Sequence, residues 1–162
     1  LVIGSMFGLD KLKQRYAETS FKSEARDEVV RDSIPLLQEH WLTGTGGGSF
    51  YGIFPSYQPA PYSGFYDHAH NDYLQFAVEV GVPVTIGLGL WVLFLLFRAA
   101  KVMVFAEHKI DRGSCFGAAM AIIYMLLHMT VDFPLQSPAN AMLFLFALMI
   151  IGICDHRAKR AS

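Results

Sequence analysis

Beyond Leu74 the chain carries three apolar stretches that restrict it to one broad class of fold. Phe76 to Phe97 contains a single charge, Glu79, and neither Ser114–Val131 nor Pro138–Cys154 contains any. At about 1.5 Å rise per residue the first two are long enough for a ~30 Å hydrocarbon core, and the third reaches it with help from flanking residues. Apolar residues make up 53% of the sequence, yet they concentrate in this half rather than spreading as in a water-soluble domain. The expected fold is an all-α membrane protein with about three transmembrane helices, over residues 76–97, 114–131 and 138–154, preceded by a largely helical and irregular loop region.

Charge orients these spans. Past residue 80, every Lys or Arg lies either between the first two spans (Arg98, Lys101, Lys109, Arg112) or after the third (Arg157, Lys159, Arg160). The positive-inside rule makes both clusters cytoplasmic, with 155–162 a basic cytoplasmic tail. The region 10–75 and the short turn from Asp132 to Asn140 then share the opposite, outer face of the membrane. Net charge is −1, which offers no argument for nucleic acid. Cys115 and Cys154 lie in or beside apolar spans and read as packing residues rather than a disulfide framework. Residues 1–9 are apolar and read as the end of a preceding transmembrane helix, so the chain is expected to be the C-terminal part of a longer protein.

Within the polar half, Val29, Val30, Ser33, Ile34, Leu37 and Trp41 recur at spacings of three and four, the pattern of an amphipathic helix. Ser23 and the acids Glu24, Asp27 and Glu28 suit its N-terminus. Pro35 removes one backbone bond and predicts a break or kink. The run Thr43-Gly44-Thr45-Gly46-Gly47-Gly48-Ser49 then stops the helix. Its spacing is wrong for a dinucleotide fingerprint, which needs glycine at Ser49, and for a phosphate-binding loop, which needs lysine. Two uses stay open for it: a flexible helix stop, or backbone N–H groups of Gly44 and Gly46 approaching an anion. Tyr51 to Tyr66, rich in Pro, Gly and aromatics, is read as irregular loop.

The chemistry concentrates in His68-Ala69-His70-Asn71-Asp72-Tyr73-Leu74-Gln75, where the polar stretch meets the first span. Desolvation beside a bilayer penalises charge, so ionisable groups at that depth mark a candidate site. A His-x-His pair suits zinc, but a third ligand at defined spacing is missing. An imidazole can also take a proton from a sugar hydroxyl near neutral pH, or simply hydrogen-bond the loop. Arg26 and Arg31 are suited to a diphosphate through their planar forks, although Asp27, Glu28 and Asp32 can neutralise both. Asp72 and Glu79 flank the histidines, and Glu79 would line the cavity or cap the first span. His128 and Asp132, four apart, form either a relay or a structural pair. Phe65, Tyr66 and Tyr73 either stack on sugar rings or join an interfacial aromatic belt, the belt being preferred for Tyr73.

Taken together, Arg26, then Glu39-His40-Trp41-Leu42-Thr43-Gly44-Thr45-Gly46, Ser49-Phe50, Phe54-Pro55, Tyr57, HAHNDYLQ, Glu79 and Gly81 resemble the O-antigen ligase and polymerase superfamily of bacterial inner-membrane glycosyltransferases. Val131-Asp132-Phe133-Pro134-Leu135, with Pro138 and Ala139, extends the resemblance, which covers only the C-terminal portion of such proteins. It implies transfer of a glycan from an undecaprenyl diphosphate carrier to a hydroxyl of lipid A core, of another carrier-linked glycan or of a protein, with no cofactor and no metal. It casts His70 as base or orienter for the acceptor hydroxyl and Arg26, in preference to Arg31, as the group stabilising the departing diphosphate. Arg31, His68, Asn71, Asp72, Gly44 and Gly46 are expected against the substrate. The alternative is a membrane protein that binds or exports polysaccharide without reacting. Trp41 replaces a frequent proline and Val84 a frequent glycine, changes expected to alter local backbone shape and nothing more. A further family arginine and the preceding helices lie outside this chain, so this stretch alone is expected to be inactive.

Overall fold

The computed structural model describes residues 28–59 and 66–161, so the expectations for residues 1–9, Ser23, Arg26 and Phe65 lie outside the described residues. Every regular element described is helical: α1 (Ile34–His40), α2 (Phe50–Ile53), a 3-10 turn (Phe54–Ser56), α3 (Asp72–Val80), α4 (Val82–Phe105), α5 (Lys109–His128), a second 3-10 turn (Pro134–Gln136) and α6 (Pro138–Ala161). Three of these, α4, α5 and α6, are long and apolar enough to cross a membrane.

Before α1, residues 28–32 are also helical, and the break between them falls at Ser33. Pro35 cannot donate a bond back to residue 31, which is the interruption its position predicts. Both the Ser33 backbone N–H (3.0 Å) and its hydroxyl (2.7 Å) donate to the Val29 carbonyl, tying the two pieces together across the break.

The first span begins at Val82 rather than Phe76, because residues 72–80 form a separate helix that stops at Gly81 with φ of 86°. A close crossing of backbones makes this stop. The glycine-rich loop passes over the α3–α4 joint, where the Val82 N–H donates to the Trp41 carbonyl (2.7 Å), the Thr45 N–H to Val78 (2.9 Å) and the Gly46 N–H to Glu79 (2.8 Å). A Cβ on Gly44, itself at φ of 68°, would overlap the Glu79 carbonyl, and one on Gly81 would come within 2.6 Å of the Leu42 carbonyl. Only glycine fits at either position.

The other two boundaries also shift. α5 runs from Lys109 to His128 instead of 114–131, and α6 continues through the basic tail to Ala161 instead of stopping at Cys154. Hydropathy locates the part inside hydrocarbon, whereas Lys, Arg and Ala sustain a helix beyond it, and basic residues suit a helix C-terminus.

The three long helices meet through small residues, Ala99, Cys115, Ala118, Ala119, Ala147 and Cys154, interleaved with Ile122, Leu148 and Ile151. Small side chains let helix backbones approach closely, which matters where surrounding lipid is as apolar as leucine. Both cysteines are free and buried there. Leu90, Phe94, Met142 and Phe146 point outward and are more than half exposed, a surface suited to lipid and costly in water. The basic end is tied by Arg98 donating to Asp155 and by Arg157, 3.3 Å from Asp111. At the other end, Val29, Leu36, Phe50, Phe54, Ala69 and Val78 make a second, compact core. Phe50 and Phe54 stack within it at 4.9 Å.

Candidate active site

The histidine turn sits where this small lobe meets the spans. Asn71 is the N-cap of α3: its side-chain oxygen accepts from the Leu74 N–H (3.0 Å), while its amide nitrogen donates to the Thr130 carbonyl (3.0 Å). The Asp72 N–H donates to the Met129 carbonyl (3.1 Å), and the Tyr73 hydroxyl to Leu126 (2.8 Å). The start of α3 is thereby fastened to the end of α5 and to the turn that follows it.

Asp72 completes that attachment. Fully buried, it accepts from the Leu135 N–H (2.8 Å) through one carboxylate oxygen and from the Gln136 amide (3.1 Å) through the other. Burial raises its carboxyl above the ordinary range, and the bonds from Leu135 and Gln136 pull in the opposite direction. Asn71 and Asp72, expected against the substrate, are therefore occupied in holding the 129–137 turn.

His70 is the residue on which the geometry converges. Its φ of 52° is the only positive value at a non-glycine position among the described residues. Side chains adopt that conformation at a cost, and at a site such strain persists only where neighbours enforce it. Here the capped helix on one side and the buried Ala69 on the other supply the enforcement. Its Nδ1 lies 3.9 Å from an Asp132 oxygen, and the other Asp132 oxygen lies 3.8 Å from His128 Nε2. One carboxylate thus stands between two imidazoles, at ion-pair range rather than hydrogen-bond length. The His128–Asp132 pair expected from spacing is present, and His70 joins it from a distant part of the chain.

Phe133 contacts both turn histidines, stacking on His68 at 4.4 Å and meeting His70 edge-on at 5.0 Å. His68, His128, Asp132, Phe133 and Gln136 line an open polar cleft of about 350 Å³. No three His, Cys, Asp or Glu side chains converge on a metal position among the described residues.

Behind the cleft a polar chain runs into the lobe. The Gln75 amide nitrogen contacts His68 Nδ1 (3.2 Å) and donates to Glu79 (3.2 Å), while its oxygen accepts from the Ala69 N–H (3.2 Å). Glu79 accepts from the Gly48 N–H (2.9 Å) and, more weakly, from that of Phe50 (3.4 Å). Glu79 therefore neither lines the cleft nor caps the first span. It binds the glycine loop, whose Gly44 and Gly46 N–H groups bond to His40 and Glu79 carbonyls rather than facing an open anion site.

Arg31 is exposed on the 28–32 stretch with its guanidinium 3.4 Å from Asp32. Gln75, Phe133 and Gln136 are the contributors that sequence reasoning passed over. Gln75 stands inside the histidine motif and four residues before Glu79, a spacing that puts both on one helix face. The partners of the other two are more than sixty residues away, beyond the reach of any local pattern.

A family model described as O-antigen ligase matches residues 1–89, which take in the glycine loop, the histidine turn and the start of α4. Comparisons with curated proteins and with solved structures give no match.

Proposed function

Since the chain belongs to the O-antigen ligase family, whose members are glycosyltransferases, we propose that its histidine turn serves transfer of a glycan from undecaprenyl diphosphate to an acceptor hydroxyl. The observation that carries this reading is His70, held in a strained conformation and opposed to Asp132 beside an open polar cleft at the non-basic end of the spans. That end is periplasmic by the positive-inside rule, where lipid-linked glycans on the outer leaflet can reach it.

In the proposed reaction the acceptor oxygen attacks the anomeric carbon of the carrier-linked sugar. His70 takes the hydroxyl proton as the new C–O bond forms, and Asp132 stabilises the imidazolium that results. The old C–O bond breaks with its electron pair passing to the diphosphate, whose growing charge Arg26 meets with two parallel N–H donors. Arg31 and the His68 face of the cleft serve substrate placement. Lipid A core or another glycan is the acceptor, and the lipid bilayer carries both donor and enzyme.

Replacing His70 by Ala in the full-length protein tests this. Transfer should fall by roughly two to four orders of magnitude, the usual contribution of a positioned acid–base group, while insertion and expression persist. A protein that only grips or exports polysaccharide would keep its function. Arg26→Ala should match the His70 loss, and Arg31→Ala should cost less; the reverse order would reassign the diphosphate contact.

A further inference from the structure

We propose that a second, apolar cleft between α4, α5 and α6 holds a hydrocarbon chain, that of the membrane lipid whose head group enters the polar cleft. The assignment rests on the transferase reading above and adds the location of the carrier's chain. The cleft measures about 280 Å³, nearly twice the ~150 Å³ apolar cavity that suffices to bind benzene.

Its walls carry no Asp, Glu, His, Lys or Arg side chain. The two hydroxyls on it are already used, Tyr73 donating to Leu126 (2.8 Å) and Thr85 to Gly81 (2.9 Å). Water needs two to four polar partners in such a space, and these walls provide none. Among the lipids, one kind is favoured by position. Leu135 lines this cleft while Pro134 and Gln136 line the polar one, so a single 3-10 turn is the partition between them. In hydrocarbon no transfer energy distinguishes one chain from another. A lipid anchored by its head group across that partition still presents its own chain at high effective concentration.

Gly89 makes the cleft testable. It lies in the wall, and a Cβ placed on it meets nothing within 4 Å, so a larger side chain enters the open space instead of the helix packing. Full-length Gly89→Leu protein in bilayer nanodiscs would be assayed with a polyprenyl donor and with the same glycan diphosphate on a chain of a few carbons. KM for the long-chain donor should rise roughly five-fold through lost packing contacts, with a much smaller rise for the short-chain donor. An unchanged long-chain KM, or equal losses on both donors, overturns the assignment; transfer continuing in the former case leaves the transferase reading intact.

A donor with a photoreactive group along its chain provides the second measurement. Label should fall on α4 and α6 in unsubstituted protein, fall several-fold in Gly89→Leu, and be displaced by unlabelled donor. Label elsewhere, or equal displacement by bulk phospholipid, refutes it.

Discussion

The lobe around Phe50 and the bundle around Ile122 are both apolar cores, yet they are built from opposite materials. The lobe buries large rings beside buried polar groups, with Gln75 and Glu79 inside it and Phe50 stacked on Phe54. The bundle interior is mainly alanine, cysteine and aliphatic residues, with most of its aromatics, Phe94 and Phe146 among them, turned outward. Burial from water rewards apolar area at about 25 cal/mol per Å², whereas helices within lipid gain from close fit alone. The lobe accordingly uses bulk and the bundle uses smallness. The candidate site lies on the seam, where imidazoles remain hydrated on one side and are fixed by membrane helices on the other.

Substitutions can break or sharpen this contrast. Phe50→Ala removes the centre of the lobe and should cost about 3–5 kcal/mol, read as earlier thermal unfolding of the full-length protein and faster hydrogen exchange in α3. If exchange in α3 does not change, the lobe is not the cooperative unit described here. Gly44→Ala meets the Glu79 carbonyl and a left-handed backbone together, and a loss of about 2–4 kcal/mol is expected from strain and displacement combined. A neutral result would show that the loop does not grip the α3–α4 joint.

A matched pair tests the solvent argument directly. Leu36→Ala in the lobe should cost about 2–5 kcal/mol. Leu148→Ala in the bundle, at comparable burial, should cost about 1–2 kcal/mol, since only packing is lost in hydrocarbon. Equal costs in one detergent titration would remove the distinction between the two cores. The smallest effect concerns acid. Because burial raises the folded carboxyl of Asp72, the folded state holds its proton more tightly than the unfolded chain. Stability should therefore decline as pH rises from near the ordinary carboxyl value through the raised one, then level off. Asp72→Asn should flatten that slope in a melting-temperature series, and an unaltered slope would place its origin elsewhere.

Much of this was legible along the chain. The three spans follow from runs of uncharged residues, the break at Ser33 from Pro35, and the candidate site region from ionisable groups crowded against an apolar stretch. Gly81 shows why the boundary of the first span was not. Gly87 and Gly89 sit inside α4 without interrupting it, so glycine by itself does not end a helix; the approach of Leu42 does, and that is a tertiary fact. Glu79 read as a cleft or capping residue because its partners, Gly48 and Phe50, are about thirty residues away. Asp132 was legible as a partner of His128 four residues before it, and not as a partner of His70.

The crossing at Gly44 and Gly81 places main chain against main chain with no side chain between them. Side chains can repack around a change in length, but two touching backbones have a single register. One residue inserted into either 41–49 or 78–82 would shear the other out of alignment and shift the histidine turn with it. A chimera that exchanges the lobe must therefore carry both segments as a matched set.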